Sequence, residues 1–104
     1  MVKRVVKKEN VYLVKLKKLV LGLLRDEPLK VVVFGSRARQ DNQPASDVDI
    51  GIIPRGKIDK GKIAELRYKI EGLNIPYKVE LVDLSQTSDS FKKEAMKEVV
   101  VWKD

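Results

Sequence analysis

The sequence predicts an α+β (α/β) fold in which a small mixed β-sheet packs against helices. Helical and strand periodicities alternate along the chain, in the order helix, strand, short turn, strand, helix, strand, helix. The first two strand segments are nearly continuous apolar or alternating runs, the mark of strands with at least one buried face. About a dozen residues join them, marginal for a parallel crossover, so an antiparallel or mixed pair is expected.

Residues 11–25 read as an amphipathic helix. Tyr12, Leu16, Leu19, Val20 and Leu23 recur at helical spacing, and Lys15, Lys17 and Lys18 fall mostly on the other side. Asn10 is the expected N-cap and Pro28 the stop. Residues 29–34 are apolar except for Lys30, which predicts a central strand covered on both faces. Residues 36–39 have room for one helical turn with Ser36 as its cap. Asn42, Pro44 and Ser46 make residues 41–46 a loop.

Residues 47–53 alternate, with Val48, Ile50 and Ile52 on one side and Asp47, Asp49 and Gly51 on the other. Residues 59–71 form the next helix, with Asp59 as cap, Ile63, Leu66 and Ile70 inward, and Gly72 at its C-terminal end. A third strand is expected over residues 77–84 and a last helix over residues 87–98, capped by Ser85 or Thr87. The apolar tail Val99, Val100, Val101, Trp102 packs back as a strand or covers an edge.

The 104 residues fit one domain, 1–104, with one core. There is no Cys and no His, which excludes disulfides, thiolate chemistry, Cys-held zinc and imidazole acid–base catalysis. Chemistry must rest on carboxylates, hydroxyls, Lys, Arg and the backbone. Against 15 acidic residues stand 22 Lys and Arg, a net charge of +7. That balance attracts polyanions, although the bases are spread along the chain, as in a Lys/Glu-rich solvated surface. No segment reaches the roughly 18 apolar residues of a membrane span, and a cytoplasmic location is expected.

The chemistry is concentrated in GSRARQDNQPASDVDI, residues 35–50, where ten residues separate Ser36 from Asp47. A glycine turn after a strand exposes backbone N–H groups to phosphate oxygens, and Ser36 adds a hydroxyl at a helix N-terminus. Arg37 and Arg39 are placed to flank a phosphate, or to be solvated surface groups. Strands disfavour Asp, and two on one face repel each other, a cost that a divalent cation removes. A third carboxylate is expected beside them. By strand parity Glu80 shares their face, whereas Asp83 has the parity of the buried set and suits a cap. Three carboxylates around two Mg²⁺ ions fit in-line displacement at phosphorus, the metals activating a hydroxyl and holding a triphosphate. A second phosphate-loop candidate, GIIPRGK at residues 51–57, fails: Ile58 replaces the metal-binding hydroxyl, Gly51 lies within a strand and Pro54 lacks an N–H.

The string GSRAR…SDVDIGI followed by KVELVDLS resembles the minimal nucleotidyltransferases of the DNA polymerase β superfamily, over nearly the whole chain. The resemblance implies a mixed sheet, Mg²⁺-ATP as donor, and transfer of a nucleoside monophosphate to an acceptor with release of pyrophosphate. It assigns the triphosphate to Gly35 and Ser36 and the metal to Asp47 and Asp49. The family's third carboxylate is usually Asp at the position of Glu80. Many members of this small class resemble antitoxins paired with a HEPN ribonuclease toxin, and some transfer AMP to a tyrosine of that toxin.

Larger relatives carry a further domain for the acceptor, which is absent from this sequence, so the resemblance implies a hydroxyl acceptor on a partner protein. Two alternatives stand beside it: a non-catalytic antitoxin with a vestigial nucleotide site, and transfer to RNA or a small molecule. RNA is disfavoured by the scarcity of aromatic residues, with 1 Trp, 3 Tyr and 2 Phe. The leading helix and the Trp102 tail are candidate oligomer contacts or core.

Overall fold

The computed structural model describes residues 11–35 and 47–104. The sheet has four strands in the order β3-β2-β1-β4. Its strands are β1 (Leu29–Phe34), β2 (Val48–Pro54), β3 (Val79–Asp83) and β4 (Val100–Lys103). Among the described residues the helices are α1 (Val11–Leu23), α2 (Lys60–Glu71) and α3 (Asp89–Ala95), with a 3₁₀ turn at Leu84–Gln86. β1 is antiparallel to both β2 and β4, and β2 is parallel to β3. The short first connection thus yields an antiparallel pair, and the α2 crossover yields the parallel one.

β1 is central and covered on both faces, as its apolar run requires. Val31 and Val33 join Val48, Ile50 and Ile52 in the main core, beneath Leu16, Val20 and Leu24 from the first helix and its exit. Ile63, Leu66 and Ile70 bring α2 to the same side. Val32 and Phe34 point the other way, into a smaller cluster with Leu84 and Ala95. Each fully buried aliphatic side chain of this kind contributes about 1.5–3 kcal/mol relative to exposure. Tyr12 stays half-exposed at 39% but meets the Tyr77 ring edge-on at 6.1 Å.

Several boundaries differ from the sequence expectation. α1 stops at Leu23, and Leu24 closes a turn onto Val20. β3 ends at Asp83, whose carboxylate accepts from the Ser85 backbone N–H and hydroxyl and so starts the 3₁₀ turn. That turn consumes Ser85, and the Thr87 hydroxyl donates to the Leu84 carbonyl. α3 therefore begins later, with Ser88 as its cap, and ends at Ala95 instead of residue 98. Asp59 and Gly72 cap α2 as expected, but Gly72 is right-handed at φ −81°. The expected cap Asn10 lies outside the described residues.

The tail does pack back as a strand. β4 lies on the free edge of β1, with a register shift between Val31 and Val32 that leaves Trp102 out of the ladder and against the main core. The Lys103 ammonium donates to the carbonyls of Glu27 and Leu29 at 3.0 and 2.9 Å, tying the chain end to the α1–β1 turn. No described helix is long and apolar enough to cross a membrane.

Gly51 is where the sheet packs closely on Leu84 of the 3₁₀ turn. A methyl group there would stand 2.7 Å from Leu84 Cδ1 and 3.1 Å from Val32 Cγ2. Gly51→Ala should lower unfolding free energy by about 1–3 kcal/mol through overpacking, read from the urea midpoint.

Candidate functional site

The side of the sheet that carries α3 also carries the acidic residues. With Val48, Ile50 and Ile52 committed to the main core, the pleat sends Asp49 and Gly51 to the opposite face. Asp47 immediately precedes β2 and is exposed. Asp49 is half-buried, with Phe34 as its partner on β1 and Glu80 as its partner on β3. Adjacent strands lie about 4.8 Å apart, so Asp49 and Glu80 emerge side by side from one face. Asp83 is absent from this group, held as the cap of the 3₁₀ turn.

The turn after β1 closes the site from the other side. Gly35 has φ 77°, in the left-handed region. A side chain on it would collide with Asp49 Oδ2, so the turn backbone lies directly against the carboxylate. Glycine is thus required twice, by its dihedral angle and by the contact. Ser36, Arg37 and Arg39 lie outside the described residues. The rejected loop at residues 51–57 is not a phosphate cradle, since Gly51 is buried within β2 and Pro54 ends that strand.

Burial raises the Asp49 pKa above the ordinary 3.8, and the charges of Glu80 and then Asp47 raise it further. The three carboxylates are therefore close enough to repel. Among the described residues, however, no group of three acids converges tightly enough to enclose an ion by itself. The donor set nevertheless fits a hard divalent cation: it is all oxygen, and its charge is in excess where Asp49 is half-buried. A cation would relieve the repulsion, and polyphosphate oxygens would complete its coordination.

The cleft beside Gly35 was not anticipated from the sequence. Phe34, Gly35, Phe91, Glu94, Ala95, Lys97 and Glu98 line about 250 Å³ between the end of β1 and α3. Only pairing and packing bring these segments together, and Phe91 belongs to no motif. A roomier cleft of about 520 Å³, between α1 and the Trp102–Lys103 end, contains none of the three carboxylates.

Asp49 against a glycine turn, Glu80 beside it on the neighbouring strand and Asp47 just before β2 form an all-carboxylate arrangement compatible with metal-assisted phosphoryl transfer without His or Cys. The chain belongs to the polymerase beta nucleotidyltransferase family, whose model matches residues 7–104. Nucleotidyl transfer is accordingly its class of activity.

Among solved structures, the chain is similar to one described as a minimal nucleotidyltransferase, at 25% identity and TM-score 0.65, covering 85% of this chain and 90% of that one. It is also similar to a chain of a toxin–antitoxin complex crystallised with AMP-PNP, at 25% identity and TM-score 0.62, covering 83% and 71%. The fold recurs in a Shewanella oneidensis complex of an MNT antitoxin with a tri-AMPylated HEPN toxin, at 23% identity and TM-score 0.57, covering 85% and 69%. No curated protein matches the sequence.

Asp49 has a thermodynamic consequence. A carboxyl whose folded pKa is raised stabilises the fold most below its unfolded pKa of about 3.8, and that stabilisation is lost as pH rises through the folded value. Ionised Asp49 is therefore a liability at neutral pH. Asp49→Asn should raise the melting temperature at pH 7 and flatten its pH dependence above pH 4. Mg²⁺ should stabilise the wild type more than Asp49→Asn, measured by thermal melts with and without the ion.

Proposed function

We propose that this protein is a Mg²⁺-dependent nucleotidyltransferase that moves AMP from ATP to a hydroxyl on a partner protein, with a tyrosine of a cognate HEPN toxin as the leading acceptor. The observation that carries the reading is the half-buried Asp49, pressed between the Gly35 turn and Glu80. An antitoxin role is supported by the likeness to a chain of a toxin–antitoxin complex with AMP-PNP, and the tyrosine acceptor by the family resemblance. We assign the whole chain, 1–104, to one minimal nucleotidyltransferase domain.

The side chains divide the work. Gly35 leaves the backbone open to the triphosphate, and Ser36 supplies a hydroxyl and an N–H to its oxygens. Arg37 and Arg39 neutralise phosphate charge. Asp47, Asp49 and Glu80 would hold Mg²⁺, two ions by the family resemblance. Bound there, the metal supplies charge neutralisation and a lowered pKa for the acceptor hydroxyl. The acceptor oxygen forms a bond to the α-phosphorus, the α–β bridging P–O bond breaks, and pyrophosphate leaves with that oxygen. Glu80, exposed at the rim, would take the hydroxyl proton.

A nucleotide-binding antitoxin without catalysis is the second reading. The observation favouring it is that the described acids do not close into an ion-binding group. Incubation with labelled ATP, Mg²⁺, a neighbouring HEPN toxin and RNA separates the readings. Asp47→Ala and Asp49→Ala should each reduce label on the toxin by roughly 10²-fold or more, the scale of losing one group that stabilises transition-state charge. Glu80→Asp should retain transfer, and Glu80→Gln should lose most of it. Full neutralisation by the unlabelling mutants would favour the binding reading, and label on RNA alone would replace the acceptor.

A further inference from the structure

We propose that the ring of Phe91 and the cleft it lines beside Gly35 hold the nucleobase of the donor nucleotide. The inference rests on the nucleotide site proposed above and adds to it a base-stacking residue. Gly35 belongs to both places: its backbone touches the Asp49 carboxylate, and it forms one wall of the cleft. A nucleotide whose phosphates lie at the Gly35 turn therefore has the cleft within reach of its other end.

The cleft has the chemistry of a base subsite and lacks that of a phosphate subsite. Its charged walls are Glu94, Glu98 and Lys97, and Lys97 is paired to Glu94 at 3.2 Å. That pairing leaves one net negative charge, on Glu98, which disfavours polyphosphate but can accept a hydrogen bond from an exocyclic amine. At about 250 Å³ the cleft is smaller than the roughly 300–1,000 Å³ pockets that enclose whole drug-sized ligands, and it suits a heterocycle.

Phe91 itself is held ready for stacking. Its backbone N–H donates to the Ser88 cap hydroxyl at 3.1 Å, which fixes where the ring leaves α3. The ring meets buried Phe34 in a perpendicular contact at 6.1 Å, yet Phe91 is 46% exposed. A supported ring with open surface is costly in water, and a stacked base would cover it. The aromatic side chain of a protein acceptor is the competing occupant.

Titrations of ATP and of inorganic tripolyphosphate, each with Mg²⁺, onto wild type, Phe91→Ala, Phe91→Leu and Phe91→Trp provide the test. Phe91→Ala should weaken ATP binding about tenfold, within the range of losing one base–aromatic stack, and leave tripolyphosphate binding unchanged. Phe91→Trp should bind ATP as wild type does. Phe91→Leu keeps bulk without a π face and should fall with the Ala variant. Unchanged ATP affinity in Phe91→Ala, equal loss for both ligands, or full affinity in Phe91→Leu would overturn the inference. Wild-type protein that binds ATP no better than tripolyphosphate would overturn it while sparing the phosphate site. Binding of neither ligand would remove the nucleotide site, and the inference with it.

Discussion

The contact between the Gly35 backbone and the Asp49 carboxylate depends on the antiparallel pairing of β1 with β2, and most of the site follows from it. Phe34 and Asp49 are register partners, so Gly35, the next residue, lies against the acid. A β-carbon at that point would occupy the space of the carboxylate oxygen. The parallel pairing of β2 with β3 adds Glu80 on the other side by the same logic of register. Two ladders and one glycine thus bring a left-handed turn and acidic groups together without any side chain chosen to bridge them.

The two faces of the sheet have divided roles. One bears the main core under α1 and α2. The other has only the smaller cluster around Val32, Phe34, Leu84 and Ala95, covered by the 3₁₀ turn and short α3. That partial cover leaves Glu80 and Asp47 open to water while half-burying Asp49. Electrostatic strain on Asp49 follows from burial first and from its acidic neighbours second. The fold tolerates it because the apolar halves of the same strands are fully engaged beneath.

Much of this was legible in the residues. The alternation of residues 48–53 and the parity of Glu80 and Asp83 placed Asp49, Glu80 and Asp83 on the faces where they lie, because a strand has a fixed period of two. The continuous apolar run of β1 foretold cover on both sides. The limits of the last helix were not legible, since Ser85, Thr87 and Ser88 are all competent caps. The 3₁₀ turn claimed the first two, through the carboxylate of Asp83 and the carbonyl of Leu84. The cleft beside Phe91 was equally hidden, because it joins residues from distant parts of the chain with no shared motif.

Local sequence by itself determined the element types, the facing of the acids and the need for glycine at the first turn, since these depend on backbone period and local sterics. Tertiary structure alone decided that β4 closes the edge of β1, that Trp102 leaves the ladder for the core, and that an aromatic cleft opens beside the glycine turn. Those outcomes depend on long-range pairing, where an edge strand accepts whichever segment can bury its apolar side against the sheet.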